Sequence, residues 1–174
     1  MLAAFREEEQ TKPTRVAAEA FAGYIDVIDG RAATGIARLE RALAEGEVAN
    51  HAPGHYASNL RLLLAAYAFT DEAERGLAAA ERLLGVTAVR LWETEARRLR
   101  AAFLASLGGA PEEVEAELQR ALQVAQQQGA LALALRVAES TARLRQQRGE
   151  DEAACEAEAL AKRLMADMPE SRIS

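Results

Sequence analysis

Thr70-Asp71-Glu72-Ala73-Glu74-Arg75-Gly76-Leu77-Ala78-Ala79-Ala80-Glu81 sets the pattern for the rest of the chain. A polar turn at Asp71 opens a segment in which small residues fall at helical spacing. Gly76 and Ala80, followed by Leu83, share one face because residues three and four apart lie one above the other on a helix. Asp71 with Glu74 three residues on reads as a capping box. The segment before the turn, rich in leucine and alanine, is helix-patterned as well. The unit is therefore a helix, a tight turn and a second helix.

The same unit recurs in both directions. Turn-like positions stand at Gly30, Asp71, Gly109 and Gly149, spaced by 41, 38 and 40 residues. A period of about 40 residues with two helices per period marks a helical repeat array. Seven positions before each turn lie Gly23, Leu64, Ala101 (counted from Gly108) and Ala142. Five positions after each turn lie Gly35, Gly76, Val114 and Ala154; seven further on come Ala42, Leu83, Ala121 and Ala161. These are the expected closest contacts of each hairpin, where bulk would hold the backbones apart. Leu64 and Val114 depart from the small-residue rule. The third turn, Leu107-Gly108-Gly109-Ala110-Pro111, reads as one residue longer than the others.

This reading predicts eight helices, at 14–29, 31–45, 55–70, 72–84, 88–107, 111–127, 130–148 and 151–166, with a polar linker over 47–54. Residues 1–13 form a lead-in that can continue as helix, 14–168 the repeat domain and 169–174 a tail. Pro111 suits a first helical turn, where its missing N–H costs nothing. Gly129 separates the sixth and seventh helices, and Pro169 stops the eighth.

Composition narrows the function classes. The chain has 174 residues, half of them apolar but only 5% aromatic, and a formal net charge of −6. Lys12 and Lys162 are the only lysines. A uniformly basic face for direct nucleic-acid binding is not expected. No apolar run approaches the ~20 residues of a membrane span, and the acidic N-terminal stretch lacks a signal-peptide core, so the cytoplasm is expected. Cys155, the single cysteine, stands among Glu150, Asp151, Glu152, Glu156 and Glu158. An electronegative setting is wrong for a nucleophilic thiol. His51 and His55 have a ligand-like spacing of four, but Pro53 and Gly54 break the helix that would aim both at one ion. No metal, cofactor or catalytic group is expected, and the chain is read as a non-enzyme.

Gly76-Leu77-Ala78-Ala79-Ala80-Glu81, Trp92-Glu93-Thr94-Glu95-Ala96-Arg97-Arg98-Leu99 and Leu135-Arg136-Val137-Ala138-Glu139-Ser140-Thr141-Ala142-Arg143-Leu144 resemble tetratricopeptide (TPR) hairpins in the C-terminal arms of large bacterial signalling ATPases. Such arms occur in ATPase–adenylate cyclase fusions and in LuxR-type ATP-dependent transcription activators. The resemblance covers roughly residues 16–161. It implies an all-α, right-handed superhelical stack of four TPR-like antiparallel hairpins. It also implies a regulatory arm without the engine, since no Gly-x-x-x-x-Gly-Lys-Ser/Thr loop is present. Such an arm is an excised segment of a larger chain, a degenerate paralogue or a separate subunit.

In that fold the first helix of each hairpin lines the inner face. The residues expected there are Ser58, Arg61, Glu95, Arg98, Arg136, Glu139 and Arg143, with Trp92 as an aromatic anchor. Arginine forks bind carboxylates bidentately, so the row can clamp an acidic peptide or a neighbouring domain. Glu95 with Arg98 and Glu139 with Arg143 can instead pair along their own helices. The expected partner is another protein or an adjoining ATPase or regulatory domain. Ligand or peptide sensing and homo-oligomeric self-assembly are the alternatives.

Overall fold

Alanine-rich amphipathic segments with punctual turn residues fold as eight α-helices in the computed structural model. It describes residues 2–48, 52–86 and 90–168, with side chains from residue 13 onward. The helices are α1 (Leu2–Ile28), α2 (Ala32–Val48), α3 (Pro53–Phe69), α4 (Ala73–Leu84), α5 (Glu93–Ser106), α6 (Pro111–Gln127), α7 (Leu131–Gln147) and α8 (Asp151–Ala166). No strand occurs among the described residues. Two ends differ from the sequence expectation. α1 begins at Leu2 and runs through Pro13, and α5 begins only at Glu93, so Trp92 precedes it. His51 and Pro169 lie outside the described residues.

The chain divides into two compact units, residues 1–92 and 93–174. In the first, α1 packs on α2 and α3 on α4; α3 also packs on α1 and α2. In the second, α5 packs on α6 and α7 on α8, while α7 packs on α5 and α6. Each unit is thus two antiparallel hairpins in which the first helix of one contacts both helices of the one before.

The turns explain the repeat. Gly30, Asp71, Gly108 and Gly149 all have positive φ, from 55° to 85°. The next N–H reaches back five residues: Arg31 to Asp26 O (2.8 Å), Glu72 to Tyr67 O (3.2 Å), Gly109 to Leu104 O (2.8 Å) and Glu150 to Arg145 O (3.0 Å). These bonds satisfy helix-end carbonyls, as a left-handed C-terminal cap does. Asp71 is therefore not the N-cap of a capping box. It occupies the left-handed position, which a short polar side chain tolerates. Glu72 is the N-cap and makes no side-chain capping bond. The third turn pivots on Gly108, with Gly109 as the added residue, so the first-helix phase counts from 108 and the second-helix phase from 109.

With that register every in-phase position is buried: Gly23, Leu64, Ala101 and Ala142; Gly35, Gly76, Val114 and Ala154; Ala42, Leu83, Ala121 and Ala161. Leu64 and Val114, the two departures from the small-residue rule, are both fully enclosed. Leu39, Leu60, Leu64 and Leu118 are among the largest fully enclosed side chains. Each contributes about 1.5–3 kcal/mol of burial.

Candidate functional site

Helices α2, α3 and α4 are joined by two rungs of like composition. In one, the Tyr67 hydroxyl donates to Glu40 Oε1 (2.6 Å), and Arg75 lies over the Tyr67 ring at 4.9 Å while bonding Glu40 and Glu72. In the other, Arg82 donates to the Tyr56 hydroxyl (2.7 Å) and to Glu47 (2.7 Å). Its guanidinium lies 5.9 Å from the Tyr56 ring centre. Glu40 and Glu47 are seven apart on α2, as are Arg75 and Arg82 on α4. Tyr67 and Tyr56 belong to the antiparallel α3 between them. Burial and the bonds to Glu40 and Glu47 raise both phenol pKa values above the ordinary range. Between the rungs lies a cleft of about 320 Å³ floored by Leu43 and Leu63. Its glutamates and arginines neutralise one another, so it is a fastening of three helices. Sequence reading passed over these four charges; their paired seven-residue spacing was the available signal.

The second unit has its own fastening. Glu117 on α6 is 3% exposed and meets Arg97 (3.2 Å), Arg100 (3.4 Å) and Arg120 (2.8 Å). Glu115 meets Arg145 (2.9 Å) and Arg148 (3.6 Å). These arginines are tied up inside the unit.

The inner-face candidates divide by unit. In the second unit, Arg98 forks onto Glu95 through Nε (2.9 Å) and Nη2 (2.8 Å), and its Nη1 donates to Ser140 Oγ (3.1 Å). Arg136 reaches the same Glu95 at 3.0 Å. The four residues clip α5 to α7. Arg98 is mostly buried in this network, while Arg136 keeps half its side chain exposed. Glu139 and Arg143 are exposed, and among the described residues they form no ion pair with each other.

In the first unit, Ser58 and Arg61 occupy a partly exposed stripe of α3 that continues through Ala65 to Phe69. Arg61 lies over Trp92, its guanidinium carbon 4.4 Å from the ring centre. Alongside runs an apolar stripe on α1: Phe21, Ile25 and Ile28, each more than half exposed, on the side away from buried Val16, Ala20, Gly23 and Val27. Phe69 is 65% exposed, and its ring meets Tyr24 edge-on at 6.2 Å. The exposed side of α1 and α3 in the first unit is thus apolar with one arginine over an indole, whereas that of α5 and α7 in the second is charged. The α1 stripe was missed in sequence because helix periodicity reports an apolar face without saying whether a neighbour covers it.

Cys155 is exposed on α8. Among the described residues, no group of three His, Cys, Asp or Glu side chains is placed to hold a metal ion. No helix among them is long and apolar enough to cross a membrane.

No family model matches this chain, and no curated protein matches it. Solved structures do. BtubC (BKLC) from P. vanneervenii superposes with a TM-score of 0.76 at 16% identity, over 97% of this chain and 71% of that one. A putative kinesin light chain from Podosopora anserina, with nearly identical TPR-like repeats, superposes with a TM-score of 0.50 at 13% identity, over 91% and 99%. At such identities the likeness concerns the fold alone. The chain has the all-α fold of TPR-like helical repeats.

Proposed function

We propose that this chain is a non-catalytic docking scaffold whose first unit receives a partner protein on its inner side. The observation that carries this reading is the exposed stripe of Phe21, Ile25 and Ile28 beside Phe69. A contiguous apolar surface rimmed by polar groups is what interaction sites leave uncovered in the free protein. Aromatic side chains supply much of the energy at such sites. Resemblance to the arms of bacterial signalling ATPases supports a regulatory partner, either an adjoining ATPase domain or a transcription-regulatory protein, in the cytoplasm.

A photo-crosslinking residue placed at Ile25, with a second at exposed Ala33 on α2 as control, tests this. The expected result is a discrete partner adduct from position 25 only, lost when Phe69 is replaced by Asp. Equal labelling at both positions would sink the reading. An adduct of twice the chain's own mass, with a dimer in light scattering, would assign the stripe to self-association instead.

A further inference from the structure

Seven arginines among the described residues are partly buried: Arg38, Arg61, Arg97, Arg98, Arg100, Arg145 and Arg148. Six of them have a carboxylate within ion-pair distance. Arg61 is the exception. Its Nε is closed off from water and has no hydrogen-bond partner. The Trp92 ring lies against its guanidinium. The chain carries 27 Asp and Glu residues, so counter-charges are not scarce. Partial desolvation of a cation is unfavourable unless something compensates it, and one aromatic face compensates only in part.

Stacking also fixes geometry. One face of the guanidinium is covered by the indole, so the remaining N–H donors lie in the plane of the fork. That arrangement suits an in-plane carboxylate at the Nη1/Nη2 edge, which accepts two parallel hydrogen bonds while the enclosed Nε stays out of its reach. Along α3 the apolar end of the same stripe, at Phe69, stands eight residues from Arg61. At 1.5 Å per residue this is about 12 Å. An extended peptide covers that distance in about four residues.

We infer that the Arg61–Trp92 pair is a carboxylate anchor, and that the partner segment received by the first unit is an extended peptide bearing an Asp or Glu side chain about four residues from a large apolar residue. The carboxylate closes on the Arg61 fork, and the apolar residue packs at Phe69 and the α1 stripe. This rests on the docking reading above and adds the chemistry of what docks. An arginine serving only to seat Trp92 would matter for folding and not for binding.

The test is selection of a random twelve-residue peptide library, displayed without a free C-terminus, on the full chain. Selected peptides are remade with amidated ends and measured by fluorescence anisotropy. The expected peptides carry an acidic residue about four positions from a large apolar one. Changing that peptide residue from Glu to Gln weakens binding at least tenfold, and so does Arg61→Leu. The two changes together weaken it no further than either alone, because they remove the same contact. Arg61→Lys, which keeps charge but not the fork, falls between. The peptide-side change needs no protein variant, so a poorly folded Arg61→Leu leaves the test intact.

Peptides that lose binding with Phe69→Asp but tolerate both Arg61→Leu and Glu→Gln overturn the anchor while leaving the docking face standing. A requirement for a free C-terminal carboxylate also overturns it. No enrichment over immobilised control protein overturns the docking reading itself.

Discussion

Gly23 and Gly35 bring the backbones of α1 and α2 into direct contact across the first hairpin. A Cβ at Gly35 would overlap the Gly23 carbonyl oxygen and approach Val27 Cγ2 to 2.6 Å. A Cβ at Gly23 would come within 2.9 Å of the Gly35 carbonyl oxygen. Gly35→Ala is therefore expected to destabilise by about 1–3 kcal/mol, since backbone cannot step aside as a flexible side chain can. Gly30→Ala is the control, because nothing lies near its Cβ and only the left-handed φ of 85° opposes the change. Its cost should be about 1–2 kcal/mol. Urea unfolding of both variants checks the order; Gly35→Ala at wild-type stability would refute the close approach.

The Tyr67 phenol, 4% exposed and bonded to Glu40, makes stability depend on alkaline pH. Its folded pKa is raised above that of an unfolded tyrosine, about 10. The folded state thus holds a proton that the unfolded state releases. The contribution is complete below about pH 10 and falls as pH rises towards the folded pKa. Tyr67→Phe should lose about 1 kcal/mol at neutral pH and show a shallower decline above pH 10. Parallel slopes for the two proteins in denaturant titrations at pH 9 to 11 would contradict this.

Glu117→Gln removes the charge shared by Arg97, Arg100 and Arg120 while keeping the shape. Arg97 keeps Glu93 and Arg100 keeps Glu113, so losing the buried acceptor they share should cost about 2 kcal/mol. Arg120 is 60% exposed, so Arg120→Ala should cost less than about 1 kcal/mol. Thermal melts of the two variants provide the comparison, and similar midpoints would show that Glu117 is not the centre of the cluster.

Arg98 and Arg136 share Glu95 but should separate by experiment. Arg98→Ala breaks a largely buried fork and the bond to Ser140, and should destabilise by about 2–3 kcal/mol. Arg136→Ala, at an exposed side chain, should stay within about 0.5 kcal/mol of wild type. Equal losses in chemical denaturation would mean that both arginines are structural.

The sequence by itself determined the hairpins. Gly30, Asp71 and Gly149, each with a small residue five positions after it, are local constraints. Left-handed backbone and close helix approach can be read from residue type and spacing alone. The same logic exposed the longer third turn, and the structure then placed its pivot at Gly108. Tertiary structure decided which charges are free. The Tyr67–Glu40 bond spans 27 residues and the Arg98–Ser140 bond 42. Such pairings depend on how separate helices rotate against one another, which no local pattern encodes. Hence Arg98, paired with Glu95 on its own helix, is also tied to Ser140 on α7, while Arg61 lies over Trp92 with no carboxylate partner among the described residues. Likewise Phe21, Ile25 and Ile28 have the periodicity of a buried face, and only the packing of α2 and α3 on α1 leaves them uncovered. The fold followed from short-range sterics, and the candidate docking face from what long-range packing left unsatisfied.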